Sequence, residues 1–166
     1  MRPGMFVLMG FPGVGKLTVA RTLAAQLEAD GQTVRIVDNH WINNPIFGLV
    51  QQDGVTPLPV EVWHRVDEVS DAVLKTVERL TPESWHVIFT AYVDGVTAAG
   101  WFTRIVAVAA ARNAALIPVR LLCEPDENAR RIVTPERRAQ MKSVDPQEPQ
   151  RLAALGTPYD PGHPNT

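Results

Sequence analysis

The 166-residue chain has a single cysteine, Cys123. That excludes an internal disulfide framework and a cysteine-rich zinc site. It also lacks an excess of charge of one sign: 16 Lys and Arg stand against 18 Asp and Glu, for a net charge of -2. A non-specific nucleic-acid binder needs a basic surface, so no nucleic-acid partner is expected. No apolar run reaches membrane-spanning length; the stretch from Ile105 to Ala111 is bounded by Arg104 and Arg112. No secretory pattern follows Met1, and repeats and low-complexity tracts are missing. These absences lead to the expectation of a cytoplasmic protein without a membrane partner. What is present, 45% hydrophobic and 20% charged residues, is the composition of one globular domain.

Strand-like and helix-like segments alternate. Met5–Met9 is a short apolar run, as in a strand buried on both faces. Val19, Leu23 and Leu27 recur every four residues, predicting a helix from Lys16 to Ala29 that Gly31 stops. Thr33–Val37 reads as a second strand. Asn44-Pro45 reads as a cap and first helical position. Val62, Val66, Val69, Val73, Val77 and Leu80 mark an amphipathic helix over 60–80. Trp85–Thr90 is a third strand, 98–114 an Ala-rich helix and Leu116–Cys123 a fourth strand, followed by two short basic helices near 126–133 and 135–141. Of 14 prolines, five fall beyond Ser143, so 143–166 reads as a loop-like tail after a domain over 1–142. The alternation predicts an α/β sandwich with a mostly parallel sheet, whose ligands sit at the carboxyl ends of the strands.

The residues after the first strand are Gly10, Phe11, Pro12, Gly13, Val14, Gly15, Lys16, Leu17 and Thr18. Two glycines flank a four-residue gap and a lysine follows, which is the spacing of a phosphate-binding loop. Glycines let backbone N–H groups turn into an anion nest, the helix N-terminus adds positive potential, and Lys16 supplies a point charge for the β- and γ-phosphates. The order of glycines fails the dinucleotide fingerprint. The position after the lysine normally carries the Ser or Thr that holds Mg²⁺; Leu17 has no such oxygen. ATP with Mg²⁺ is expected, the metal held by phosphates, water and a carboxylate elsewhere.

With Asp38-Asn39-His40 closing the second strand, Ile88-Phe89-Thr90 closing the third and an Arg-rich stretch after the fourth, the chain resembles the small P-loop kinases. Shikimate kinase-like, chloramphenicol phosphotransferase-like and nucleoside monophosphate kinase-like proteins are among them. The resemblance covers roughly 5–142 and implies a three-layer P-loop NTPase fold. It further implies that the acidic residue after the second strand, here Asp38, binds the acceptor hydroxyl and acts as base; the alternative is a carboxylate that caps the next turn. It places Arg130, Arg131, Arg137, Arg138 and Lys142 in the lid, with Arg130 and Arg137 chosen to stabilise the transferring phosphoryl group. His40, Asn43, Arg65, Tyr92 and Asp94 are candidate substrate contacts, each with a plain alternative as a loop, turn or surface residue. Trp63 reads as packing rather than stacking on a substrate. Thr90 stands where an Mg²⁺-holding aspartate is usual, leaving Asp94 as the candidate metal ligand. The resembled fold continues into a fifth strand and a helix, and this sequence ends about where that strand should begin, as either a truncated form or a shortened variant; a shortened sheet, weak nucleotide selectivity and a homodimer are the expectations. The expected function is transfer of the γ-phosphoryl group of ATP to a small-molecule acceptor, with a hydrolase or a nucleotide-binding module as alternatives.

Overall fold

The computed structural model describes residues 2–50, 52–92, 98–156 and 158–164. Four strands, β1 (Gly4–Met9), β2 (Val34–Val37), β3 (His86–Ala91) and β4 (Ala115–Arg120), form one sheet in the order β2-β3-β1-β4. Every pairing is parallel, with Val7 opposite Phe89 on one side and Pro118 on the other. Parallel neighbours need crossover connections, and helices supply them. They are α1 (Lys16–Ala29), α2 (Asn39–Phe47), α3 (Val60–Arg79) and α4 (Ala98–Ala111).

Alternation along the strands assigns the two faces of the sheet. Leu8 and Ile88 point to one face, where they pack with Ala20 and Ala24 of α1. Met5, Val7, Met9, Val87 and Phe89 point to the other and meet Leu74 and Val77 of α3 and Phe102 and Ile105 of α4. The three-layer α/β sandwich expected from the alternation is therefore what forms. No helix among the described residues is long and apolar enough to cross a membrane.

Two expectations are corrected. Asn44-Pro45 does not start a helix; α2 begins at Asn39, and Pro45 lies within it. The reason is tertiary: the Asn39 amide donates to Thr90 Oγ1 of β3 at 3.1 Å, a cap from 51 residues away. The tail expected to be loop contains a helix, α7 (Glu148–Leu155), packed on α5 (Pro125–Ile132). Its prolines do not oppose this. Pro149 is in the first turn, where a missing N–H costs nothing, and the Gln147 amide donates to Asp145 Oδ1 at 2.9 Å to start the turn. Between them runs α6 (Pro135–Ala139).

At the amino end of the sheet two polar side chains are buried. Arg112, 2% exposed, donates to the carbonyls of Val77, Thr81, Pro82 and Trp85 and closes the end of α3 onto β3. His86 Nδ1 accepts the Gly4 amide at 2.8 Å, and its Nε2 lies 3.3 Å from Gln32 Oε1. Accepting at Nδ1 requires the neutral ring, in agreement with burial lowering its pKa.

Candidate active site

At the carboxyl ends of the strands lies a cleft of about 830 Å³. Its floor is the loop between β1 and α1. Gly13 and Gly15 have φ of +88° and +96°, values that side-chain-bearing residues rarely adopt. A Cβ on Gly13 would also lie 2.1 Å from Asn128 Oδ1. Asn128, buried on α5, donates from Nδ2 to the Pro12 carbonyl at 2.9 Å, so the loop is fastened from the lid side. Gly15 is the cap of α1, and the helix axis delivers its positive end into the cleft.

Lys16 Nζ donates to the carbonyls of Gly10 at 2.7 Å and Phe11 at 2.9 Å, bent back across its own loop. Burial first, and the Arg137 charge second, lower its pKa from 10.5 to about 7; Asp38 opposes the shift. An ammonium group held short of solvation is primed to take an anion.

Asp38 is 5% exposed. Its side chain does not cap α2. Instead its Oδ1 accepts the Thr90 hydroxyl at 2.5 Å, and Oδ2 lies 4.0 Å from Lys142 Nζ. Thr90, in the place where an aspartate is usual, thus holds Asp38 in position while it caps α2. His40 Nδ1 is 3.3 Å from Asn44 Oδ1; burial, and then the Lys142 charge, push its pKa down to about 4, so the ring is neutral at pH 7. Asn43 is buried and, with Tyr92, lines the cleft.

The lid segment contributes unevenly. Arg137 lines the cleft and donates from Nε and Nη2 to the Ser143 carbonyl at 3.1 and 2.9 Å. Arg130 does not line it; its guanidinium pairs with Glu127 on the exposed face of α5. Arg131, which shares Glu127, does line it. Arg65 also stands outside, exposed on α3 and paired with Glu68 at 2.7 Å. Asp94 lies outside the described residues. Leu17 and the exposed Thr18 line the cleft. Trp63 packs edge-on against Phe47 at 5.5 Å, the packing read from the sequence, and also lines the cleft.

Several lining groups escape a reading of the sequence. Arg21, Glu148, Arg151 and the loop over 52–58 all border the cleft. The loop is held by Asp53, whose Oδ1 accepts the amides of Val55 and Thr56 at 2.8 and 2.7 Å, and it is tied to the lid by Val144 N donating to Gly54 O at 2.9 Å. An Asp followed by Gly54 signals a turn, but nothing local says what the turn faces.

Among the lining groups, Lys16, Arg21, Arg131, Arg137, Lys142 and Arg151 face only two carboxylates, Asp38 and Glu148. The cleft is therefore suited to a polyanion beside one deliberately positioned carboxylate.

No protein-family model matches the sequence, and no curated protein matches it. Solved structures do. A proposed kinase from Chloroflexus aurantiacus aligns over 96% of this chain and 83% of its own, with 15% identity and a TM-score of 0.63. Chaetomium thermophilum Kti12 in complex with ADP-AlF3 aligns over 96% and 84%, with 16% identity and a TM-score of 0.60. The Mycobacterium tuberculosis APS kinase CysC in complex with AMPPNP and APS aligns over 79% and 69%, with 16% identity and a TM-score of 0.53. With its parallel sheet, its glycine-rich loop after β1 and these structural neighbours, the chain has the P-loop kinase-like fold.

Proposed function

We propose that the protein is an ATP-dependent phosphotransferase acting on a small hydroxyl-bearing acceptor. The observation that carries this reading is the placement of the buried Asp38 carboxylate in one cleft with Lys16 and the glycine loop. A hydrolase or simple binding module needs the loop and the lysine, but has less use for a buried carboxylate held by a dedicated hydroxyl donor.

In the reaction the acceptor oxygen attacks the γ-phosphorus in line. The bond from that phosphorus to the β,γ-bridging oxygen breaks, and ADP leaves. The acceptor hydroxyl gives up its proton, with Asp38 Oδ2 orienting and receiving it while Oδ1 stays on Thr90. Lys16 exchanges its loop carbonyls for phosphate oxygens and regains its full charge. Arg137 and Lys142 meet the charge that spreads over the transferring group. The lid excludes water, the competing acceptor.

The described residues do not fit a protein-held Mg²⁺. Leu17 offers no oxygen, Thr90 already donates to Asp38, and no cluster of three His, Cys, Asp or Glu groups is assembled. On the described residues alone, magnesium would enter with ATP, held by phosphate oxygens and water, while Asp94, the carboxylate expected to reach it, lies outside them. Of the bound groups in the structural neighbours, AMPPNP in the APS kinase and ADP-AlF3 in Kti12 support a nucleotide here.

The test is ADP release with and without a panel of alcohol acceptors, with and without Mg²⁺, and against Lys16→Ala. Turnover that depends on an acceptor supports transfer. Equal turnover without one supports a hydrolase, and binding without turnover supports a module.

A further inference from the structure

The two banks of the cleft differ in chemistry. All six cations belong to one bank, α1 and the segment over 131–151. The other bank is built from α2, the loop over 52–58, the start of α3 and the end of β3. It is lined by residues such as Asn43, Phe47, Thr56, Leu58, Trp63 and Tyr92. Apart from Asp38 at the boundary and His40, which is uncharged at neutral pH, the described residues that line that bank carry no carboxylate, ammonium or guanidinium group.

Charged groups close by are turned away or already matched. Arg65 pairs with Glu68 out on α3. The Asp53 carboxylate is occupied by the amides of Val55 and Thr56 and by the Thr56 hydroxyl. Lys142, the cation nearest the boundary, faces Asp38 at 4.0 Å with both side chains nearly buried. The cations whose charge reaches this bank, Lys142 and Arg137, already face Asp38 and the Ser143 carbonyl, so an anionic group there would shed water for shared countercharge and would also sit near the Asp38 carboxylate. Among the described residues a cationic group would find no carboxylate there except Asp38, which already faces Lys142 at 4.0 Å.

The bank does offer apolar area and neutral polar groups. Trp63 meets Phe47 at an interplanar angle of 88°, edge to face, and keeps 44% of its surface exposed. An exposed indole beside amides and a hydroxyl suits a ring that carries neutral polar substituents.

Resting on the phosphotransferase reading above, we propose that the acceptor is an uncharged hydroxyl compound with a ring or other flat apolar face. Carboxylated and phosphorylated acceptors are rejected by the neutral bank. Anions bind this cleft only where the triphosphate does.

The experiment fills the phosphate bank with saturating AMPPNP and measures ligand-observed NMR binding of matched probes. Benzyl alcohol and phenyl β-D-glucopyranoside are the uncharged pair, benzoate and phenyl phosphate the anions, and benzylamine the cation. The expected result is binding of the uncharged pair beside AMPPNP, weakened at least fivefold in Trp63→Leu. Benzoate and phenyl phosphate are expected to bind only when AMPPNP is left out. Thr56→Arg, on an exposed loop, adds a cation to the neutral bank and is expected to admit benzoate beside AMPPNP. Anion binding beside AMPPNP in the unaltered protein overturns the proposal, as does benzylamine binding better than the alcohols or no binding of the uncharged pair. Failure of AMPPNP itself to bind is a different result, and it removes the phosphotransferase reading together with this one.

Discussion

The two ends of the sheet bury polar side chains to opposite effect. At the amino end, the two Nη groups of Arg112 donate to four carbonyls, leaving only its Nε without a partner among the described residues, and His86 bridges Gly4 to Gln32, so these groups are largely matched inside the chain. At the carboxyl end, the partners of Lys16 among the described residues are carbonyls of its own loop, and Asp38 keeps one oxygen facing a lysine 4.0 Å away. Matched burial stabilises; incompletely matched burial is held ready for a ligand. The two ends should therefore respond differently to mutation.

The largest expected effect is at the carboxyl end. Lys16→Ala is expected to lower kcat/KM by roughly 10²–10³, the cost of removing a preorganised charge from a transition state, with circular dichroism unchanged. Next is the amino end, where Arg112→Met strands four carbonyls. A loss of about 3 kcal/mol in urea unfolding is expected, with kcat unaltered well below the melting temperature. Equal stability losses from both changes would erase the distinction. Asp38→Asn keeps the shape and is expected to lower acceptor-dependent turnover by about 10², while nucleotide affinity stays within a fewfold of normal.

A smaller effect is expected from pH. The folded pKa of Lys16, about 7, is depressed from 10.5. Between those values the unfolded chain holds more protons, so this residue makes stability rise with pH across that window. Lys16→Met removes the dependence; its stability relative to the unaltered protein should be greatest below pH 7 and should shrink toward pH 10.5. Polyphosphate binding restores the ammonium charge, so calorimetry should detect proton uptake and an affinity that declines as pH rises above 7. The smallest effect should be that of Arg130→Ala, less than twofold in kcat/KM, against about tenfold for Arg137→Ala. The contrast follows from their positions, one paired on the outer face of α5 and the other in the cleft.

The phosphate loop was legible because its information is contiguous: glycines that must take positive φ, then a lysine, between a buried strand and a helix. Asp38 was legible from its place at a strand end. The contacts that set its environment were not. Thr90 is 52 residues away and Lys142 is 104, and no local spacing encodes either meeting. The same cause misplaced the start of α2, whose cap belongs to β3. Composition misled at α7, since proline counts say nothing about whether a proline occupies a first helical turn. Choosing between Arg130 and Arg137 required the direction of each side chain, which the interruption at Pro135 hid.

The hydrogen bond from Val144 to Gly54 has a consequence for how the cleft works. Gly54 has φ of +80°, and a Cβ there would lie 2.8 Å from the Lys142 carbonyl, so the loop and the lid touch backbone to backbone. The loop edges the neutral bank, and the lid carries cations of the other. If the proposed acceptor draws the loop inward, the Val144–Gly54 bond would carry the lid with it toward the proposed triphosphate site. In that case linkage requires each of the two proposed substrates to raise the affinity for the other by the same factor.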